Sequence, residues 1–469
     1  MSSSPKTIET EDRDEIFAAA RSKKNLRVAL MSGGVGTVLE QFDFAAYGLA
    51  AALVFPHVFF PGDSALAGSL KSFAGFAVGF LARPIGGVIF SHFGEKHGRK
   101  WVMVATLTIM GTATMLIGLI PSYDKIGIWA PILLVTMRVL QGLGAGAEQA
   151  GSSTLLTETA PLGKRGRYAS TVMMGAATGT AFGTLVFSAA QWILTDQQFL
   201  SWGWRVVFLL SVFVTIGAFL IRRHLDESPV FTELKESVAG MHAQAAPLKI
   251  AMQKGWKRIL LVFIMNWGPN GNSYAIQTFF VTYVTTKVLL PNGSGDFFTR
   301  STITDIQLIG ACVGIFAAFM WGSLSDKFGR KPIYLFIAGV GVLLPFALFP
   351  LLNTGLTILV ACAVILGYIF YAHGNVGVQM SYFPELFGVR YRYAGVTLAR
   401  EFSSVIGGGI APMICSGLLL AYGNWVPLSI YMGFTMLVTF IASTLAPETI
   451  DRDLTIVTDA VPGEAHTGF

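Results

Sequence analysis

Twelve stretches of this chain stay apolar for about 20 residues or more, the length a helix needs to cross a lipid bilayer. They lie near 29–55, 66–91, 101–120, 130–158, 168–193, 203–222, 258–288, 303–324, 332–352, 355–380, 393–421 and 425–446. Charged residues make up 13% of the 469 residues, against about 25% in ordinary soluble domains. The expected fold class is therefore an all-α polytopic membrane protein with twelve transmembrane helices. The 52 glycines lie mostly within the apolar stretches, where small residues let helices approach closely. The three cysteines, Cys312, Cys362 and Cys415, fall in apolar segments and imply neither a disulfide framework nor a metal site. No cofactor is expected.

Lys and Arg give the orientation. Residues 1–28 hold Lys6, Arg13, Arg21, Lys23, Lys24 and Arg27, and the loops after each even-numbered stretch are basic. The opposite side has Lys125, Arg205, Lys287 and Arg300. Both termini are thus expected in the cytoplasm. The basic balance (pI about 9.1) serves topology, and no soluble domain gathers it into a nucleic-acid patch. The expected divisions are a cytoplasmic tail 1–28, a six-helix bundle 29–222, a partly helical cytoplasmic linker 223–257, a second bundle 258–446 and a short, disordered cytoplasmic tail 447–469.

The two bundles carry matching signposts. SHFGEKHGRK (91–100) follows the second stretch and GSLSDKFGRK (322–331) the eighth. ETAPLGKRGRYA (158–169) follows the fourth and PELFGVRYRYA (384–394) the tenth. Two pairs in register signal a duplicated, pseudo-symmetric bundle. The G-x-x-x-D-[KR]-x-G-R-K pattern resembles the major facilitator superfamily signature, although Ser91 and Glu95 depart from it in the first copy. RVLQGLGAGAE (138–148) resembles that superfamily's span-4 motif. EQFDFAAYG (40–48), ARPIGG (82–87), WGWRVVFLLS (202–211), LDESPVF (225–231) and VIGGGIAP (405–412) together resemble the metabolite:proton symporter family. That family includes permeases for shikimate, 2-oxoglutarate, citrate and proline/betaine, and the likeness is to shikimate-type members. Gln41-Phe42 and Gly146-Ala147-Glu148 stand where the family commonly has an aromatic pair and Gly-Gly-Glu.

The resemblance implies a cavity lined by spans 1 and 4 in the first half. Glu40 and Asp43 sit in span 1, although an acid at the bilayer centre costs roughly 2.5–3.5 kcal/mol. At 1.5 Å per residue, Asp43 lies about 22 Å above the inner face, and Arg138 in span 4 about 18 Å. Asp43 is assigned as the proton site and Arg138 as its partner. A nearby guanidinium favours the carboxylate; when it leaves or takes substrate, burial favours the acid. Glu40, on nearly the same face, is a second proton site, a substrate contact or a residue satisfied within the bundle.

Tyr47, Arg138 and Gln141 are assigned to the substrate site. Arg83 joins them, with a structural tie to Glu148 as the bland alternative. Lys71 can snorkel outward. Arg400 and Glu401, adjacent in span 11, must point different ways. From the second half come Asn270, Tyr274, Gln277, Tyr371 and Asn375, neutral hydrogen-bonding groups at helical spacing. His373 is read as a satisfied core histidine. The resemblance further implies a cytoplasmic gate of ion pairs from Glu95, Arg99, Glu158 and Arg165, and from Asp326, Arg330, Glu385 and Arg390.

The function these residues suggest is proton-coupled import of a small organic acid by a monomer in the cell inner membrane. Partners are the carboxylate, protons and lipid. A zwitterionic osmolyte is the alternative substrate, although osmosensory members tend to carry a coiled-coil extension that this tail lacks. An exporter or exchanger of the same fold stays open. An enzyme is not expected: no metal cluster, nucleophile–base pair or nucleotide loop is evident.

Overall fold

The computed structural model describes residues 23–97, 99–145, 148–161, 163–224, 247–291, 295–388, 391–452 and 454. Their helices fall into twelve successive segments. In the first half these are span 1 (Lys23–Leu53), span 2 (Ala65–His97), span 3 (Arg99–Leu119), span 4 (Trp129–Ala145, then Glu148–Thr159), span 5 (Thr171–Ile193) and span 6 (Trp204–His224). In the second they are span 7 (Trp256–Tyr274, continuing to Lys287), span 8 (Arg300–Phe328), span 9 (Arg330–Leu343 and Pro345–Asn353), span 10 (Thr357–Gly367, continuing to Glu385), span 11 (Arg392–Ser404, continuing to Tyr422) and span 12 (Val426–Leu445). Seven helices are long and apolar enough to cross a membrane by themselves, and the two parts of span 9, bent by 45°, make an eighth together.

Several helices outrun the apolar stretch that marks them. Span 2 continues to His97 through most of the first Gly-Arg-Lys motif. Apolarity marks where lipid lies, whereas the helix persists into the polar flank because its backbone bonds are internal.

Packing repeats with a shift of six. Span 1 packs on 5 and 7 on 11; span 2 on 4 and 8 on 10; span 3 on 6 and 9 on 12. Between the halves, span 5 packs on 8 and span 2 on 11, two crossings that the same shift exchanges. That is the pseudo-two-fold the sequence repeats imply.

Of the linker, Pro247–Lys254 is helical, and its Ala251 packs with Phe387 and Tyr391 at the basic end of the second bundle. Residues 225–246 lie outside the described residues. The tail departs from expectation at its start. Glu448 accepts from the backbone N–H of Arg330 (2.9 Å) and Lys331 (3.0 Å), and Thr449 donates to Glu385 (2.7 Å). Residues 447–452 are thereby stitched to the bundle, because span 12 ends beside the unpaired amides that open span 9.

Candidate functional site

Two glycines set the site. A Cβ on Gly79 in span 2 would lie 2.6 Å from Arg138 Nε, and one on Gly142 in span 4 would overlap the Gly79 carbonyl. The spans therefore cross at backbone contact, and Arg138 lies flat over the crossing, 1% exposed. Its guanidinium carbon sits 4.2 Å from the Tyr47 ring centroid, 4.5 Å from Phe44 and 4.7 Å from Phe76. Such faces attract a guanidinium. Arg138 Nη1 donates to Gln141 Oε1 at 3.0 Å. Among the described residues, its Nε and Nη2 have no hydrogen-bond partner. A buried cation thus presents two unused donors along one edge, the arrangement that takes a carboxylate bidentately.

Asp43 does not touch Arg138; no ion pair within 4.0 Å joins them. A relay does. Gln141 Nε2 donates to Thr114 Oγ1 at 2.6 Å, and Thr114 Oγ1 donates to Asp43 Oδ2 at 2.8 Å. Gln141 lies one turn along span 4 from Arg138 and takes the guanidinium; Thr114, from span 3, takes the acid. Thr114 was not legible in the sequence, being one of several threonines in an apolar span.

The Glu148 side chain lies outside the described ones, and with it the expected tie to Arg83. Arg83 Nη1 pairs with Glu40 Oε1 at 2.8 Å. Its Nε donates to Glu401 Oε2 at 2.9 Å and its Nη2 to Glu401 Oε1 at 3.4 Å, across the two halves. Lys71 is at the rim, paired with Asp63 at 2.7 Å.

In the second half, Tyr274 closes over Phe80 (5.0 Å between centroids) and Phe76 (5.7 Å). Gln277 receives a long contact from Thr180 of span 5 (3.5 Å) and donates to Ser273 Oγ (2.9 Å). Asn270 donates to Ser404 in span 11 (2.6 Å). Tyr371 and Asn375 correct the expectation: they donate to the carbonyls of Gly341 (2.5 Å) and Tyr334 (3.1 Å) in span 9. Helical spacing placed them with the cavity residues, but the π turn Tyr368–Ala372 rotates the helix between. His373 also differs: both ring nitrogens are buried without a hydrogen-bond partner among the described residues. A cleft lined by Phe44, Thr180, Thr184, Tyr274, Gln277 and Tyr368 holds about 10 Å³, room for roughly one water.

Both ends are shut. At the basic end Arg392 Nη1 meets Glu158 Oε1 at 2.5 Å across the halves. Asp326 accepts from the amides of Gly166 (2.8 Å) and Arg167 (2.7 Å) and pairs with Arg330 (2.7 Å), which also holds Glu385 (3.2 Å). Gly329, at φ +97° between them, supplies the turn. Arg165 donates to the Arg452 carbonyl (2.6 Å). The gate set thus joins Asp326, Arg330 and Glu385, and gives Glu158 to Arg392. The repeat carried the signal: Arg392 aligns with Arg167, as Arg390 does with Arg165. Arg390 lies outside the described residues, as do the side chains of Glu95 and Arg99. At the other end His57 Nε2 meets Arg300 Nη2 at 3.1 Å, and Trp192 donates to Asp305 at 3.0 Å.

The family model "Sugar (and other) transporter" matches residues 31–460. A shikimate transporter of Escherichia coli (strain K12) is 37% identical over 422 residues, 88% of this chain and 92% of that one. An inner membrane metabolite transport protein of the same strain is 37% identical over 455 residues, covering 96% and 99%. A putative proline/betaine transporter of Staphylococcus aureus (strain COL) is 31% identical over 422 residues, covering 90% and 88%. Among solved structures, the xylose transporter from E. coli in a partially occluded inward open conformation aligns with TM-score 0.68 at 16% identity, covering 92% of this chain and 99% of that one. Twelve helices in two bundles related by a six-span shift, with a family match along nearly their whole length, make this chain a member of the sugar (and other) transporter family of the major facilitator superfamily.

Proposed function

We propose that this transporter imports a small carboxylate together with protons by alternating access. The observation that carries the reading is the unpartnered Nε–Nη2 edge of Arg138, buried in its aromatic box. A substrate carboxylate would pair with that edge once the halves part, with Tyr47 and Gln141 beside it and Asn270, Tyr274 and Gln277 supplying neutral contacts from the other half. Asp43 is the proton site. When substrate draws on Arg138, the relay through Gln141 and Thr114 transmits the change to the acid, whose burial then favours protonation. Glu40 takes part through Arg83. Coupling is useful because an anion entering a negative cell works against about 2.3 kcal/mol per charge per 100 mV.

The proposal includes topology: tail 1–28, linker 223–257 and tail 447–469 in the cytoplasm, bundles 29–222 and 258–446 in the cell inner membrane, and function as a monomer. The basic end is then the inner gate, closed by Glu158–Arg392 and the Asp326–Arg330–Glu385 network. The relative named for proline/betaine supplies the second reading, a zwitterionic osmolyte. Arginines occupy the aromatic faces that would hold a quaternary ammonium, which favours the anion.

Uptake of labelled shikimate, 2-oxoglutarate, citrate and betaine, with and without a protonophore, tests this. Accumulation of one of the acids, lost on collapse of the proton gradient, is expected. Accumulation of betaine alone, or import indifferent to the gradient, would overturn it.

A further inference from the structure

The two arginines share one ring. The guanidinium carbons of Arg83 and Arg138 lie 5.4 Å and 4.5 Å from the centroid of Phe44. They differ in what fills them. Arg138 has an unused edge, whereas the Nε–Nη2 edge of Arg83 is occupied by both oxygens of Glu401. That is the same edge, engaged in the geometry a substrate carboxylate would use. Glu401 comes from the opposite half, on span 11, and is 4% exposed.

Spans 2 and 11 run antiparallel in close contact toward the non-basic end. A Cβ on Gly409 would lie 2.8 Å from Phe80 Cβ, and one on Gly417 4.0 Å from Leu70. Arg83–Glu401 stands at the basic side of this seam, so parting the halves at the basic end pulls first on that bond. Parting them takes the guanidinium from Glu401 and one of its acids from Arg83, and breaking a buried charge pair is costly. Release therefore needs a replacement for one of them.

We propose that Glu401 is a built-in competitor for the substrate: its carboxylate clasps the Arg83 edge in the closed, empty transporter, and an incoming carboxylate displaces it, transferring Arg83 to the cargo and freeing the halves to part at the basic end. Glu40 keeps hold of the other arm of Arg83 (2.8 Å), so the guanidinium stays in its own half while its partner changes. The exchange makes opening conditional on anionic cargo. It rests on the reading that the cargo is a carboxylate.

A state in which Arg83 is clasped is a state in which binding is taxed by its population. Purified full-length protein in lipid nanodiscs is tested with shikimate, 2-oxoglutarate and citrate, and with their neutral methyl esters, by calorimetry. Glu401→Gln should tighten acid binding on the order of tenfold, with no gain for the esters, and Arg83→Gln on that background should erase the gain. Glu401→Asp, which shortens the reach but keeps the charge, should fall between native and Gln, and serves if the Gln variant does not fold. If Glu401→Gln and Glu401→Asp bind acids as the native protein does, or more weakly, Glu401 is a structural tie and the proposal is wrong, while the carboxylate reading stands. An equal gain for acids and esters also overturns it, since only loosening would have been achieved. If neither the native protein nor any variant binds an acid, the carboxylate reading fails and takes the proposal with it.

Discussion

The two halves share one set of helix crossings but divide their polar groups unequally. The first half carries Glu40, Asp43, Arg83 and Arg138, and its spans 1 and 2 are continuous α-helices from Lys23 to Leu53 and from Ala65 to His97. The second half carries mostly amides, hydroxyls and tyrosines, with Arg400 and Glu401 in span 11 its buried charges nearest the site, around three π turns, Ala275–Phe279 in span 7, Tyr368–Ala372 in span 10 and Val405–Gly409 in span 11. A π turn adds a residue to the helix and often marks a functional site. The difference assigns work. Buried charges need fixed partners, because a misplaced one is costly; in spans 1 and 2 they sit on continuous helices, and in span 11 Arg400 and Glu401 stand on the regular turns just before the irregular one. Neutral groups exchange partners cheaply, so they sit where helices are irregular. On the proposed reading, the charged part of recognition and the coupling fall to the first half, with Glu401 reaching in from the second, and the irregular turns of the second half are where movement is expected.

The largest expected effect comes from Arg138→Lys. An ammonium keeps the charge but lacks the fork that matches a carboxylate. Losing a buried, charged hydrogen-bonded contact costs about 2–5 kcal/mol, so apparent affinity should fall roughly 30-fold to several thousand-fold. Substrate titrations of initial uptake measure this. Near-native affinity would remove Arg138 from recognition and undo the division of labour. Asp43→Asn should abolish uphill accumulation while sparing exchange of labelled for unlabelled substrate, as read in cells and in preloaded vesicles. Retained accumulation would move the proton site elsewhere.

Gln277→Ala probes the other side of the comparison. One neutral hydrogen bond is worth about 0.5–1.5 kcal/mol, so KM should rise about two- to tenfold. The accumulation ratio should not change, because Gln277 has no part in the relay to Asp43. A loss of accumulation as deep as that of Asp43→Asn would show coupling shared between the halves.

The same inequality explains what could be read from the chain alone. Charges in apolar stretches are conspicuous, and Glu40, Asp43, Arg83 and Arg138 stand out with no structure in hand. Their partners do not. Thr114 is one of many hydroxyls, and the Arg83–Glu401 bond spans 318 residues, a distance no helical periodicity covers. In the second half, periodicity itself misleads. Counting at 3.6 residues per turn puts Tyr371 and Asn375 on the cavity face, but the π turn before His373 shifts them toward span 9. The repeats carried the fold, since both inter-half crossings follow from one six-span shift. The stitched segment 447–452 was hidden because Glu448 and Thr449 read as tail.

Where the halves meet at the non-basic end the expected effect is smallest, and it has a sign. His57, in the short helix Phe55–Val58 beyond span 1, is held below its ordinary value near 6.5 by burial first and by the Arg300 guanidinium second. The closed form therefore binds a proton at His57 less readily than an open form with the ring in water. Closure at this end is favoured while His57 is neutral and weakens as pH falls through about 6.5 and below. In an importer this directs opening toward the acidic side, where protons and substrate are collected. The rate at which a membrane-impermeant reagent labels Leu49→Cys, on the wall behind this contact, should rise about two- to threefold on acidification, the scale of an exposed charge contact. His57→Gln on that background should flatten the rise while leaving the accumulation ratio at native levels. A rise that survives the substitution would place the pH response on other groups and leave the His57–Arg300 contact as packing alone.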